Sequence, residues 1–320
     1  MFAGVWKRFI PYIQFMTTRT DLCGKCEKHR LRVGDSRTEE EKQHAVEDFQ
    51  GHLETARLKR DVYRESCASA REELDKYMIS HPTSLTTPPL PSSADLHEMH
   101  YTFDFCQPVT LPHHTQQSGP LYFLQGRKVQ IFGIADDGSR QQVNFMLDEE
   151  DTIGIDGTSS HGPNTTVSLL HFYLSNFAHG EKGASFHADN CPGQNKNKTF
   201  LHYFLWRCCV GLNDDITFLF MEPGHTKCFC DSCFGMIKRV FRKSDVNTIQ
   251  ELERVVERSS KGNRPCHFSS PEEGHVFRDW ATFLGDSLLP LKGISRFFKF
   301  RFTKTDPGDF THTILEKQKP

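Results

Sequence analysis

The sequence has no run approaching the roughly 18 consecutive apolar residues that a membrane-spanning helix needs, which excludes a helical membrane span. It also has no excess of charge of either sign: 39 basic residues stand against 41 acidic ones, for a formal net charge of -2. A surface that binds polyanions everywhere is thereby excluded, and any polyanion site has to be local. Met1 to Tyr12 holds too short an apolar core to read as a secretory leader, so the expectation is a soluble protein. Cysteine is not scarce, but the spacing of a disulfide framework is missing. The eleven cysteines are odd in number, scattered, and include the adjacent pair Cys208 and Cys209, which points to a reducing interior compartment. The start Met1-Phe2-Ala3-Gly4-Val5-Trp6 runs into an apolar segment without a capping signal and reads as the interior of a longer architecture.

What is present falls into three parts: residues 1–80, a linker over 81–95, and a core over 96–320 that ends in a basic extension. In the first part, Glu39 to Tyr77 reads as one long helix. Ala45, Phe49, Leu53, Ala56, Tyr63, Cys67, Ala70, Leu74 and Tyr77 recur in steps of three, four and seven and mark one face. Charge fills the other faces, so a homodimer through this helix is a natural expectation, although Gly51 weakens its middle. Pro82, Pro88, Pro89 and Pro91 among Ser and Thr cannot continue either regular element, and this is the linker.

Beyond it the pattern turns to strands. His100 to Pro108 alternates Tyr101, Phe103 and Phe105; Lys128 to Ile134 and Gln142 to Leu147 flank a turn with an Asp-Gly signal. A helix capped near Asn164, a strand over Ala184 to Ala188, a helix from Lys198, a strand over Ile216 to Met221 and a helix over Ser232 to Arg242 complete the order β-β-β-α-β-α-β-α. That is the order of a ribonuclease H-like α/β fold, a mixed five-stranded sheet flanked by helices.

In such a fold the first, fourth and fifth strands end on one edge. Asp104 lies late in the first strand, Asp189 ends the fourth and Asp231 opens the last helix, while Asp214 and Asp215 fall on the opposite edge. Glu222 is the rival for the third position, and His225 between them can help hold metal or phosphate. An acid between Phe103 and Phe105 is costly on a sheet unless it is paired or ligating. Converging carboxylates suit Mg2+ or Mn2+, and two such ions about 4 Å apart activate the attacking group and stabilise the leaving oxygen of a phosphoryl transfer.

The segments Thr102-Phe103-Asp104-Phe105, His187-Ala188-Asp189-Asn190-Cys191-Pro192-Gly193-Gln194-Asn195-Lys196-Asn197, Gly224-His225-Thr226 and Asp231 with Phe234-Gly235-Met236-Ile237-Lys238-Arg239 carry a resemblance. They are similar to a large animal family of transposon-derived proteins described as a domain of unknown function, whose core resembles the DDE or DDD transposases and integrases. The resemblance implies Asp104, Asp189 and Asp231 as catalytic acids, with Asn190, Gln194 and His225 beside them. It further implies DNA as substrate and a nuclear location. Lys196, Lys198, Lys238, Arg239, Arg242 and Lys243 are the local cations expected to meet DNA, with a second basic cluster at Lys292, Arg296, Lys299, Arg301 and Lys304. An inactive interaction module that keeps the fold is the alternative.

Cys23 and Cys26, two residues apart, can supply two ligands of a structural zinc site, and His52 is the first later residue of a suitable type. His29 and Asp48 are nearby candidates to complete it. Cys67 cannot easily join His52 on one unbroken helix, since 15 residues separate them by about 22 Å. His225, Cys228, Cys230 and Cys233 form a second set of zinc-type residues.

Overall fold

The structure, a computed structural model, describes residues 22–81, 89–116, 119, 123–149, 162–269, 275–285 and 293–304. The expectations that fall on Met1 to Asp21, on 82–88 of the linker and on Lys292 lie outside the described residues. By its internal contacts the chain divides into two compact units, residues 1–54 and 55–320.

The first unit holds α1 (Gly24–Asp35), a helix the sequence pattern did not announce, and the start of α2 (Glu39–Ser80). The start of α2 is set locally. Glu41 N–H donates to Thr38 Oγ1 (3.2 Å) and Thr38 N–H to Glu41 Oε2 (3.3 Å), a reciprocal capping box that satisfies two orphan donors.

The second unit is built on one mixed sheet of eight strands: β1 (Met99–Phe105), β2 (Val109–Leu111), β3 (Arg127–Asp136), β4 (Gln141–Asp148), β5 (Gly183–Ala188), β6 (Asp215–Phe220), β7 (Asn263–His267) and β8 (Lys299–Thr303). The order is β7-β4-β3-β1-β5-β6-β8, with β2 on β3. β3 runs antiparallel to β1 and β4, while β1, β5 and β6 are mutually parallel neighbours. The expected sheet of five strands is therefore corrected to eight. β7 escaped the pattern because Pro265 interrupts it, and proline is tolerated there because the strand forms a sheet edge. β8 was read as part of a basic cluster. Its Arg301 and the following Lys304 instead pair with Asp215 (2.8 Å) and Asp214 (3.2 Å).

Five helices follow the same unit: α3 (Pro163–Asn176), α4 (Lys198–Cys209), α5 (Phe229–Phe241), α6 (Ile249–Ser259) and α7 (Trp280–Gly285). α3 starts from Gly162 with proline in its first turn, not from a cap at Asn164. Asn164 accepts from Ala281 N–H (2.9 Å) and donates to Asp279 (2.9 Å), tying the start of α7 to α3. α5 begins three residues before the expected Ser232, so Asp231 sits inside its first turn.

Period-two alternation sorts the sheet into two faces. Tyr101, Phe103, Phe186, Phe218 and Phe220 point into one buried cluster with residues of α3, α4 and α7. On the other face Ile131, Ala135 and Met146 meet Phe234 and Ile237 of α5 and Val255 of α6. His100, Thr102, Asp104, Ser185, His187 and Asp189 belong to that second face by the same alternation. α2 reaches it as well: Tyr63 and Cys67 are buried against Met221.

Candidate functional site

The parallel pairing of β1 with β5 matches Met99 with Ala184 and ends with Thr102 opposite His187. Two residues further along each strand, Asp104 and Asp189 follow on the same face and at the same edge. Across β1, Asp104 is in register with Gly133. A side chain on Gly133 would meet the Phe234 ring at 2.7 Å, so the glycine lets α5 press against the sheet. Asp231 lies on that helix, in its first turn.

The electrostatics agree with this placement. Burial first, then the charge of Asp189 and, more weakly, that of Asp231, push the Asp104 carboxyl up to about 7. The hydrogen bond from Phe105 N–H to Asp104 Oδ1 (2.7 Å) opposes them. Mutual repulsion of this kind is what a divalent cation relieves.

The polar turn after β5 is held residue by residue. Asp189 Oδ1 accepts from Cys191 N–H (3.0 Å) and from Asn195 Nδ2 (2.6 Å). Asn190 donates to the carbonyl of Met221 and accepts from Lys196 Nζ (2.9 Å), which links the ends of β5 and β6. Gln194 donates its N–H to Cys191 O (3.4 Å), and Asn197 caps α4 by accepting from Phe200 N–H (3.0 Å). Asn195 Oδ1, in contrast, is buried without a hydrogen-bond partner. A buried oxygen left over beside a carboxylate suits a hard cation. Lys196 stands 4.8 Å from the Phe220 ring, and desolvation, then the charge of Lys59, push its ammonium down to about 8 against the pull of Glu222.

At the third position Asp231 and Glu222 differ. Asp231 Oδ2 accepts from Cys228 N–H (2.9 Å) and from the Cys228 thiol (3.3 Å), so one oxygen caps the helix. Glu222 is buried at the end of β6 and accepts from Lys59 Nζ at 2.8 Å. His225 occupies the next turn, its N–H donating to Glu222 O (2.9 Å) and its carbonyl accepting from Arg60 (2.6 Å). Among the expected cations, Lys196 alone is fixed within the acid-bearing turn. Lys198 opens α4, Lys238 and Arg239 lie in the last turn of α5, and Arg242 and Lys243 follow it. Cations at a helix C-terminus are also favoured by the helix dipole.

In the first unit, Cys23, Cys26 and His52 offer ligand atoms within 4.8 Å of one another. Cys23 Sγ is 3.4 Å from His52 Nε2. The His29 ring stacks on that of His52 at 5.7 Å, whereas Asp48 accepts from Arg32 at 2.6 Å. Among the described residues, Cys228, Cys230 and Cys233 do not gather into such a group with His225. Cys230 is directed at the Gly133 carbonyl (3.6 Å).

A second polar cluster went unread in the sequence. On the face that carries Asp104, Asp137 Oδ2 accepts from Thr102 Oγ1 (2.5 Å) and lies 2.8 Å from His100 Nδ1, and Asp137 Oδ1 accepts from Tyr63 (3.1 Å). His100 Nε2 is 2.7 Å from His187 Nδ1, and Cys67 Sγ is 3.7 Å from His100 Nδ1. The signal was the polar set His100, Thr102, Asp104 at every second residue between aromatic ones.

The family model described as Domain of unknown function (DUF7869) matches residues 128–319, more than half of the chain, which includes Asp189 and Asp231 but not Asp104. No curated protein matches. Two solved structures bear a slight likeness. The crystal structure of NurA with manganese is 11% identical with a TM-score of 0.17, covering 72% of this chain and 47% of that one. The crystal structure of NurA is 10% identical with a TM-score of 0.15, at 72% and 46%. The chain thus spans just under half of each neighbour, and a likeness of that size carries no argument about chemistry.

Proposed function

Since the chain belongs to the family described as a domain of unknown function (DUF7869), a description that assigns no chemistry, we propose from its acid edge that residues 96–304 are a ribonuclease H-like core of transposon origin that cleaves or joins DNA phosphodiesters in the nucleus. The strand path β4-β3-β1-β5-β6, antiparallel to β1 on one side and parallel on the other, supports the ribonuclease H-like reading. The observation that carries the chemistry is the neighbouring pair Asp104 and Asp189, whose charges repel each other on a half-buried edge. Asp104, Asp189 and the Oδ1 oxygen of Asp231 would hold Mg2+ or Mn2+, with Asn195 Oδ1 as a further oxygen. Bound there, the ion would polarise the phosphate and activate the attacking hydroxyl. Asn190 and Lys196 position the turn, and the ammonium of Lys196 is placed to meet phosphate.

The test is Mg2+-dependent nicking of supercoiled plasmid by the full chain. Asp189→Asn and Asp104→Asn should each lower the rate by at least about a thousandfold, as expected where one ligand supports several kcal/mol of transition-state stabilisation. Nicking that persists in Asp189→Asn would sink the proposal. A second reading rests on Asp231, one of whose oxygens takes both contacts of the helix cap: if the carboxylate serves only that cap, the core is an inactive binding module. Neither the native chain nor Asp231→Asn would then nick plasmid, and DNA binding would be the same in both.

A further inference from the structure

We propose that Cys67, His100 and Asp137 form a zinc site, separate from the acid edge and from the amino-terminal cysteines. Sγ of Cys67, Nδ1 of His100 and a carboxylate oxygen of Asp137 all lie within 4.8 Å of one another, and all three residues are buried. The 3.7 Å between Sγ and Nδ1 is close to the edge of a tetrahedron with about 2.3 Å to sulfur and 2.0 Å to nitrogen. Thiolate, imidazole and carboxylate together select zinc over Mg2+.

The surroundings are those of a metal centre. Thr102 and Tyr63 both donate to Asp137 and fix its carboxylate. His187 Nδ1 faces Nε2 of His100 at 2.7 Å, placed to accept a hydrogen bond from that ring. With zinc on Nδ1 of His100, the ring proton sits on Nε2 and is donated to His187, and the His187 proton moves to its own Nε2. Nothing is oxidised. The one proton lost to solvent comes from the Cys67 thiol as it becomes thiolate.

The fourth position has an approach. Cys67 and Asp137 line a pocket of about 340 Å3 whose other walls include Arg64, Arg71, Arg140 and Tyr63. Zinc with three protein ligands and one position toward solvent is the arrangement that binds water or an anion. The guanidiniums favour the anion.

Full-length chain carrying Cys23→Ser and Cys26→Ser, which silences the amino-terminal thiols, is dialysed against Zn2+ and then metal-free buffer. One zinc per chain should remain, and alkylation of Cys67 by iodoacetamide, followed by mass spectrometry, should slow by about tenfold or more when Zn2+ is present. Co2+ in its place should give a thiolate charge-transfer band that Cys67→Ser abolishes. Thr102→Val, which removes only the hydroxyl on Asp137, should weaken affinity about 10- to 100-fold. Zinc absent after dialysis, with Cys67 alkylated equally fast with and without Zn2+, overturns the proposal. So does a Co2+ band that survives Cys67→Ser. The alkylation arm uses the native Cys67, so it decides the matter even if Cys67→Ser misfolds.

Discussion

His171 of α3 stands among rings, 5.0 Å from Trp280 and 6.0 Å from Trp206, with Nδ1 3.2 Å from the Tyr203 hydroxyl. Burial, helped by Arg207 and Arg278, pushes its imidazole down to about 4 from an unfolded value near 6.5. Between those values the unfolded chain binds a proton that the folded chain refuses, so stability falls as pH drops from about 6.5 to 4, by up to about 3 kcal/mol. Thermal unfolding at pH 7 and pH 5 should show the loss, and His171→Phe should shrink it; an unchanged difference would refute the assignment. The Lys59 and Glu222 pair is a second residue-scale case. Both are largely shielded from water, so Lys59→Met should cost about 3–5 kcal/mol in urea unfolding by removing the ammonium that compensates a buried carboxylate. Lys59→Met with Glu222→Leu should recover most of it. Asp189 was legible in sequence because a polar turn directly follows an apolar strand. The engagement of Glu222 was not, because Lys59 lies in a helix far away along the chain.

At the scale of elements, α5 depends on a missing side chain. A methyl at position 133 would come within 2.6 Å of Gln142 Nε2 and 2.7 Å of Phe234 Cζ. Gly133→Ala should therefore cost about 1–3 kcal/mol and displace the first turn of α5 that carries Asp231. Reduced nicking at a denaturant concentration where the chain is still folded would report the displacement. The amphipathic stripe of α2 was legible from its spacing. Its use was not: Tyr63, Cys67 and Leu74 are buried in the sheet unit, so over those residues the stripe serves the chain's own core. β1 shows the same division. Its aromatic alternation announced a strand and Asp104 stood out within it, but the intervening His100 and Thr102 have meaning only once their neighbours across the sheet are known.

For the molecule as a whole, near-neutral charge limits how strongly DNA can be held. If the six cations Lys196, Lys198, Lys238, Arg239, Arg242 and Lys243 are the ones that meet phosphates, the slope of log affinity against log salt should be about -5. Replacing Lys238, Arg239, Arg242 and Lys243 with glutamine should flatten it by up to about 4 if all four meet phosphates. A slope unaffected by the change would move the DNA path off α5. The sequence by itself determined the elements of the central sheet and placed Asp104 and Asp189 at strand ends, because periodicity, capping and turn chemistry act between residues a few positions apart. Tertiary structure alone decided that β7 and β8 extend the sheet, that Lys59 answers Glu222, and that Cys67 meets His100 and Asp137. Those contacts join residues distant in sequence, and such pairings are chosen by which faces bury together, a property no local pattern encodes.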